Sequence, residues 1–326
     1  MKRKIGRSDI EVSALGMGCW AIGGPFWRGE TPVGWGEVDD DESVATIASA
    51  IESGVTLFDT ADVYGAGHSE RVLARALAGR RHEVVIATKF GNVFDEDTRV
   101  VTGSDASPEY VRRACDASLR RLQTDYIDLY QLHIGDLPLD RVDDLLEVLE
   151  RLVELGKVRA YGWSTDDPER ARAFARGEHC TAVQANVNVL QDAPEVLATA
   201  DELDLACLNR GPLAMGLLTG KFTGDSVLPE NDVRGPNAPE WMSLFRDGKP
   251  LPELLDRLEA IREILTSDGR TLAQGAIAWL WARSSRTLPI PGCRTVAQAR
   301  ENAGALEHGP LSTSGLEEIE RLLGRS

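Results

Sequence analysis

The stretch VTLFDTADVYGAGHSERVLARALAGRRHEVVIATKF, residues 55–90, contains two short apolar runs on either side of an amphipathic one. Thr56–Asp59 and Val84–Thr88 are apolar without alternation, which is typical of strands buried on both faces. The pattern of Ser69–Leu77 between them predicts a helix. The stretch therefore predicts one strand–helix–strand unit.

The same alternation runs from about residue 40 to the end of the chain. Ser107-Pro108 and Asp167-Pro168 have the form of an N-cap followed by a first-turn proline, which marks two helix starts. The predicted strands are Leu15–Gly18, Thr56–Asp59, Val84–Thr88, Ile127–Gln131, Arg159–Gly162, Ala182–Ala185, Leu205–Leu208 and Thr287–Ile290. The predicted helices between them are Asp41–Ser53, Ser69–Leu77, Pro108–Leu122, Val142–Leu155, Pro168–Arg176, Pro194–Leu203, Thr271–Arg283 and Val296–Ala305.

Eight strand–helix units favour an α/β fold, a (β/α)8 TIM barrel in which a single domain spans residues 1–326. A doubly wound sheet is the alternative, and it normally carries a glycine-rich phosphate turn after its first strand. The segment at that place, Gly16–Ala21, lacks the third glycine of that motif. The barrel is therefore the favoured fold.

Three segments interrupt the alternation. Lys2–Val12 predicts an N-terminal β-hairpin that caps the barrel floor, with its turn near Gly6–Asp9. Gly91–Ser107 predicts a long polar loop after strand three, and Phe222–Pro250 predicts another after strand seven. Long loops of this kind are lids, binding loops or disordered segments. Additional helix is predicted at Leu251–Leu265 and at Ser314–Leu323.

The composition limits the classes of partner. The formal net charge of −16 disfavours binding to nucleic acid or to an anionic membrane. The five cysteines are scattered, no apolar run is long enough to span a membrane, and no apolar stretch follows the basic start at Met1–Ile5. We therefore expect no secretory signal and a cytoplasmic protein with reduced thiols. An anionic ligand would need local cations, for which Lys221 and Arg294 are candidates.

Four polar residues lie at the ends of successive strands: Asp59, Tyr64, Lys89 and His133. The active site of a barrel lies at the carboxyl ends of its strands, so these side chains are predicted to meet there. An ammonium beside a phenol favours the phenolate and lowers the phenol pKa, and a carboxylate keeps the ammonium charged. An imidazole can donate a hydrogen bond to a carbonyl oxygen. The set therefore suits protonation of an oxygen while a nucleophile attacks its carbon.

Each of the four residues also has a structural interpretation. Asp59 and Lys89 could form a buried ion pair without catalytic function. Tyr64 could be a packed aromatic residue, and His133 a hydrogen-bonded core histidine. A shared structural origin for all four is less favoured than a catalytic one. The sequence offers no His-x-His or three-ligand spacing for zinc, so a metal-dependent hydrolase is disfavoured and no metal is expected.

Three segments together resemble the aldo-keto reductase superfamily: Phe58–Gly65, Ala87–Gly91 and Leu129–His133. The resemblance extends from Leu15–Gly18 to Glu301-Asn302. It implies that Tyr64 is the general acid and base, that Lys89 and Asp59 tune it, that His133 orients the carbonyl, and that NADPH supplies a hydride.

The resemblance also implies cofactor contacts. Ser164 and Gln184 match the residues that hydrogen-bond the nicotinamide amide, and Thr165 stands where the family usually has asparagine. The further matched positions are Trp20, Leu213, Gly216, Leu217, Lys221, Gly292, Arg294, Gln298, Glu301 and Asn302. Of these, Gly216–Lys221 would wrap the pyrophosphate and Arg294 would receive the ribose 2′-phosphate, which favours NADPH over NADH.

The chain departs from the family at Arg210 and Gly211, where relatives commonly carry an aromatic residue and a serine. A guanidinium plane can also stack on a ring. Our hypothesis is that Arg210 lies on the nicotinamide or contacts a nearby phosphate. A rim arginine paired with an acid is the alternative.

The sequence thus predicts an NADPH-dependent oxidoreductase that reduces an aldehyde or ketone to an alcohol. The alternative is a non-catalytic, cofactor-sensing subunit of the same family. The substrate, the physiological direction and homo-oligomer formation are left open. Aromatic residues from predicted loops at the barrel mouth would suit many apolar faces: Trp20, Trp27, Trp35, Phe90 and Trp241.

Overall fold

The computed structural model describes residues 1–325 and has an eight-stranded parallel sheet at its centre. Its strands are β1 (Gly16–Gly18), β2 (Leu57–Asp59), β3 (Val85–Phe90), β4 (Ile127–Leu132), β5 (Val158–Ser164), β6 (Cys180–Asn186), β7 (Ala206–Arg210) and β8 (Thr287–Pro289). They pair in chain order from β1 to β8. The predicted (β/α)8 barrel and all eight predicted strands are confirmed, with ends that differ by a few residues.

The barrel closes between β1 and the residues that follow β8. Gly18 forms a parallel bridge with Gly292, and the Gly18 amide donates to the carbonyl of Pro291 at 3.0 Å. A Cβ at Gly18 would come within 2.7 Å of the Ile290 carbonyl oxygen, so this close approach requires glycine. Within the described residues, the pairing across this seam is a single bridge.

Helices surround the sheet and follow the predicted order. They are α1 (Asp40–Glu52), α2 (His68–Ala76), α3 (Pro108–Leu122), α4 (Val142–Glu154), α5 (Pro168–Phe174), α6 (Pro194–Glu202), α7 (Pro252–Leu265), α8 (Leu272–Arg283), α9 (Val296–His308) and α10 (Thr313–Leu322). The predicted caps are confirmed, because the Ser107 side chain accepts from the Tyr110 amide and the Asp167 side chain accepts from the amides of Glu169 and Arg170. None of the helices in residues 1–325 is both long and apolar enough to cross a membrane.

The N-terminal hairpin pairs Lys2–Lys4 with Glu11–Ser13, as predicted. Its buried residues Ile5, Ile10 and Val12 belong to the same apolar cluster as the side chains inside the barrel, including Leu129 and Leu288. The hairpin therefore closes the barrel at the end opposite the strand C-termini. The turn needs Gly6, whose φ is +53° and whose Cβ would meet a backbone oxygen at 2.2 Å.

The prediction of a loop over Gly91–Ser107 is wrong. Asn92–Asp95 and Val100–Ser104 form an antiparallel hairpin, and Trp27–Arg28 and Thr31–Pro32 extend it to a four-stranded sheet beside the barrel mouth. The turn forms because the Asp95 carboxylate accepts hydrogen bonds from the amide and hydroxyl of Thr98 at 2.7 and 2.8 Å. The many polar residues in this segment hid the strand pattern.

The predicted loop over Phe222–Pro250 is mostly irregular, with one short pairing of Phe245–Arg246 and Lys249–Pro250. The fold of this segment depends on Arg234, which is buried and forms a bidentate salt bridge with Asp232. Arg234 also donates to the carbonyl of Met215 at 2.9 Å, and its guanidinium lies 4.4 Å from the ring of Trp35. These contacts hold the segment over the barrel mouth.

Candidate active site

Lys89 lies at the centre of the predicted tetrad. It is fully buried, and its ammonium donates to Asp59 Oδ2 at 2.6 Å, to the Thr60 carbonyl at 2.8 Å and to the Tyr64 hydroxyl at 3.2 Å. Three donors therefore meet three acceptors. This arrangement fixes the ammonium against the phenol oxygen and uses all three of its N–H donors.

Asp59 is held by two amides in addition to Lys89. Its Oδ1 atom accepts from Gln131 Nε2 at 3.1 Å and from Gln184 Nε2 at 2.8 Å. Sequence reasoning assigned no role to Gln131. The sequence pattern could have pointed to Gln131, because an amide side chain in a strand with both faces buried needs a polar partner.

Burial raises the pKa of Tyr64 above its ordinary value, although the neighbouring Lys89 ammonium acts in the opposite direction. The predicted effect of the Lys89 ammonium on the Tyr64 pKa is present, but the loss of hydration, which the sequence analysis did not weigh, outweighs it. Burial also acts to lower the pKa of Lys89, but the charge of Asp59 and the Tyr64 phenol reverse that effect and raise it. At neutral pH, the pair is a neutral phenol beside a charged ammonium, which is the state of a proton donor.

His133 follows β4 and faces Tyr64 edge to face, with ring centroids 5.9 Å apart. Burial lowers the pKa of His133 well below its ordinary value, and Lys89 and Arg210 add to that effect. The imidazole is therefore neutral. Its Nδ1 atom is buried and has no hydrogen-bond partner among residues 1–325.

A cleft of about 1270 Å³ opens from the tetrad across the barrel mouth. Asp59, Tyr64 and His133 line it, while Lys89 lies behind them. The predicted cofactor residues that also line the cleft are Trp20, Ser164, Gln184, Arg210, Gly211, Leu213, Gly216, Lys221, Gly292, Arg294, Gln298, Glu301 and Asn302. The fold thus brings these positions to one continuous surface.

Two predicted cofactor residues do not line the cleft. Thr165 is buried, donates to the Gly135 carbonyl at 3.0 Å and accepts from the Asp167 amide at 3.2 Å, so its hydroxyl supports the loop after β5. Leu217 is buried in the main core. Neither side chain is positioned to contact a molecule in the cleft.

Arg210, at the end of β7, forms an ion pair with Asp166 at the rim of the cleft. A rim arginine paired with an acid is the alternative that the sequence analysis gave for Arg210. The Arg210 Nε atom is buried without a partner in the described residues, although the side chain as a whole is partly exposed. Gly211 has a φ of +62° and its carbonyl accepts from Asn188 at 3.1 Å.

The chain after β7 turns sharply past the cleft. Met215, Gly216 and Gly220 all have positive φ, at 55°, 96° and 74°. Lys221 follows, and its pKa is lowered by partial burial and by the charges of Arg234 and Arg294. Lys221 and Arg294 therefore bring positive charge to this end of the cleft, beside Arg234, whose charge is balanced by Asp232.

Arg294 follows β8 and donates to the Trp35 carbonyl at 3.2 Å and to the Glu37 carbonyl. Its amide donates to Gln298 Oε1 at 2.8 Å, which ties Gln298 to the start of α9. Within residues 1–325, no three side chains of His, Cys, Asp or Glu form a group that could hold a metal ion.

Comparison with known proteins agrees with this architecture. The sequence model of the "Aldo/keto reductase family" matches residues 14–323. The chain is 31% identical over 314 residues to "Aldo-keto reductase yakc [NADP(+)]" from Schizosaccharomyces pombe, covering 94% of this chain and 86% of the relative.

Two solved structures are similar over nearly their whole length. The holo form of aldo-keto reductase AKR11C1 from Bacillus halodurans superposes with a TM-score of 0.80 at 30% identity, covering 100% of this chain and 97% of that one. An aldo-keto reductase from Klebsiella pneumoniae in complex with NADPH has a TM-score of 0.72 at 28% identity, with 100% and 96% covered.

Proposed function

Since the chain belongs to the aldo/keto reductase family, we propose that this oxidoreductase reduces an aldehyde or ketone to an alcohol with NADPH. The observation that carries the proposal is the Tyr64 hydroxyl, which contacts the Lys89 ammonium at 3.2 Å on one side and lines the cleft with His133 on the other. A proton donor and a carbonyl-orienting donor then lie at the same end of one cleft.

The residues present fit an NADP(H) dinucleotide. Lys221 and Arg294, which make no ion pair within residues 1–325, supply positive charge for phosphates, and the turn at Gly216 presents backbone without a side chain. The relatives from S. pombe and K. pneumoniae carry NADP(+) and NADPH in their names or titles. We therefore assign this end of the cleft to the cofactor, with Gln298, Glu301 and Asn302 on the adenosine side.

When bound, NADPH supplies the hydride for the carbonyl carbon. Tyr64 gives its phenolic proton to the carbonyl oxygen, and Lys89 stabilises the phenolate that remains. The neutral His133 donates a hydrogen bond to the same oxygen and so fixes its direction. Asp59, held by Gln131 and Gln184, keeps Lys89 charged in a buried site.

Replacement of Tyr64 by phenylalanine tests this function against the alternative of a non-catalytic cofactor-sensing subunit. We expect Tyr64→Phe to lower kcat for a panel of aldehydes and ketones by about 10² to 10⁴. NADPH affinity, measured by fluorescence titration, should stay near that of the wild type. Tyr126→Phe is the matched control, because Tyr126 packs under Arg81 outside the cleft.

Two results would contradict the proposal. If the wild-type protein binds NADPH but turns over no carbonyl compound in the panel, the result favours the non-catalytic, cofactor-sensing subunit over the reductase. If Tyr64→Phe keeps wild-type turnover, then Tyr64 is not the proton donor.

The contact between Arg210 and the nicotinamide stays a prediction. The ion pair with Asp166 places the guanidinium at the rim of the cleft but does not occupy its Nε atom. We propose that Asp166 orients the Arg210 plane toward the nicotinamide. An Arg210→Ala variant with unchanged NADPH affinity and turnover would leave Arg210 as a rim ion pair only.

A further inference from the structure

Arg28 lines the cleft beside the tetrad and takes no part in the mechanism above. It lies on the strand Trp27–Arg28, which pairs in parallel with Val100–Ser104 of the hairpin beside the mouth. That four-stranded sheet therefore carries the guanidinium to the edge of the site. The side chain is exposed, so its remaining N–H groups are free to meet a ligand.

The guanidinium is held in a defined place. Its Nη2 atom donates to Asn92 Oδ1 at 3.0 Å, and Asn92 Nδ2 donates to the carbonyl of His133 at 3.3 Å. The Tyr110 hydroxyl donates to the Asn92 carbonyl at 2.8 Å and fixes that residue in turn. Arg28 is thus connected through Asn92 to the residue that orients the substrate carbonyl.

Arg28 differs from two of the other charged residues that line the cleft because it has no acidic partner within residues 1–325. Five cations line the cleft, and two of them have acidic partners: Arg210 with Asp166, and Arg234 with Asp232. Arg28, Lys221 and Arg294 make no ion pair within residues 1–325. Lys221 and Arg294 lie together at the end assigned to the phosphates.

The position of Arg28 places it at the other end of the cleft. The hydrogen bonds through Asn92 place Arg28 beside His133, and its charge helps to lower the pKa of that imidazole. Arg28 is therefore a cleft-lining guanidinium without an ion pair within residues 1–325, and it is joined through Asn92 to His133. It is a ready partner for a planar anion.

We propose that Arg28 is a specificity-determining residue that selects carbonyl substrates bearing a carboxylate. This inference rests on the proposed carbonyl reductase function and names its substrate class. The carboxylate lies on Arg28 while the carbonyl oxygen lies between Tyr64 and His133. The ring of Trp20, stacked on Tyr64 with centroids 6.0 Å apart, supplies an apolar wall of the cleft beside the proton donor.

Matched pairs of substrates test the proposal. We would measure kcat/KM with NADPH for 4-formylbenzoate against its neutral methyl ester, and for 4-oxobutanoate against butanal. The wild-type protein should prefer the acid of at least one pair by roughly tenfold to a hundredfold, the range expected of a charge-assisted hydrogen bond. The preference should reside mainly in KM and should weaken as salt is added.

The variants Arg28→Gln and Arg28→Lys separate charge from shape. Arg28→Gln should abolish the preference for the acid, and Arg28→Lys should keep part of it. Arg113→Gln is the control for net charge, because Arg113 is an exposed α3 residue outside the cleft. It should leave the ratio of acid to neutral substrate unchanged.

The outcomes distinguish the two proposals. Equal use of acid and neutral carbonyls by the wild type, or a preference that survives Arg28→Gln, overturns the role of Arg28 while leaving carbonyl reduction intact. If no carbonyl is reduced at all, the proposed function fails. In that case, calorimetric titration of 4-formylbenzoate into the protein with NADP⁺ still tests Arg28, because tight binding lost in Arg28→Gln supports the site and equal or absent binding overturns it.

Discussion

Removal of Lys89 tests whether the buried ion pair is a structural contact or a catalytic one. The Lys89→Met variant removes a fully buried ammonium and leaves the Asp59 carboxylate, itself 4% exposed, without its counter-charge. Breaking a buried pair by removing one partner costs about 3–5 kcal/mol of folding free energy. The amides of Gln131 and Gln184 remain on Asp59 but carry no full charge.

The double variant Asp59→Asn/Lys89→Met removes both charges. An asparagine oxygen can still accept the hydrogen bonds from the two glutamine amides, so we expect most of the lost stability to return. Turnover should not return, because Tyr64 no longer has an ammonium to stabilise its phenolate. We expect kcat/KM for an aldehyde to stay at least about a hundredfold below that of the wild type in both variants.

Urea denaturation followed by tryptophan fluorescence gives the stability, and NADPH consumption gives the turnover. Lys157→Met is the control, since Lys157 pairs with Asp116 at 2.5 Å but both side chains are more than one-third exposed. Its cost should be below about 1 kcal/mol, and its turnover should be normal. A double variant that regains stability and turnover together would refute the catalytic role of Lys89.

Three further predictions concern pH, cofactor choice and packing. In initial-rate assays, the rate of carbonyl reduction should stay level through neutral pH and fall only in alkaline solution, because burial raises the pKa of Tyr64 and lowers the pKa of His133. Alcohol oxidation needs the Tyr64 phenolate, so its rate should rise over the same alkaline range. Arg294→Leu should weaken NADPH binding by about tenfold to a hundredfold and leave NADH binding nearly unchanged in fluorescence titrations, whereas equal losses would exclude a 2′-phosphate contact. Gly275→Ala in α8 should lower stability in urea by roughly 1–3 kcal/mol, because its Cβ would meet the Leu265 carbonyl oxygen at 2.0 Å, while Gly315→Ala in α10, whose Cβ would meet nothing closer than 3.2 Å, should not.

The barrel strands could be predicted because each is apolar on both faces and is bounded by helix signals. The tetrad followed from the strand ends, since a buried Asp59 or Lys89 needs a polar partner wherever the barrel brings strand ends together. The hairpin at Asn92–Ser104 could not be predicted in the same way. Its strands lie outside the barrel and carry polar residues, and their pairing with Trp27–Arg28 depends on residues far apart in the chain.

The Tyr64 pKa shows a second limit of sequence reasoning. Its neighbour Lys89 is visible in the sequence and acts in the predicted direction. The larger effect is burial, which depends on how many groups pack around the phenol and is visible only in the folded chain. The same holds for Arg28, whose proposed role rests on its having no ion pair among the described residues and on its hydrogen bond to Asn92.

The seam of the barrel at Gly18 and Gly292 is a weak place in the barrel wall. The barrel wall is held there by a single bridge, so we expect it to open first at this place, which amide hydrogen exchange would measure. Trp20 follows one side of the seam and Arg294 follows the other. A molecule that spans the cleft would therefore hold the two edges together, and the stability of the protein should rise with the logarithm of the free concentration of that molecule above its Kd.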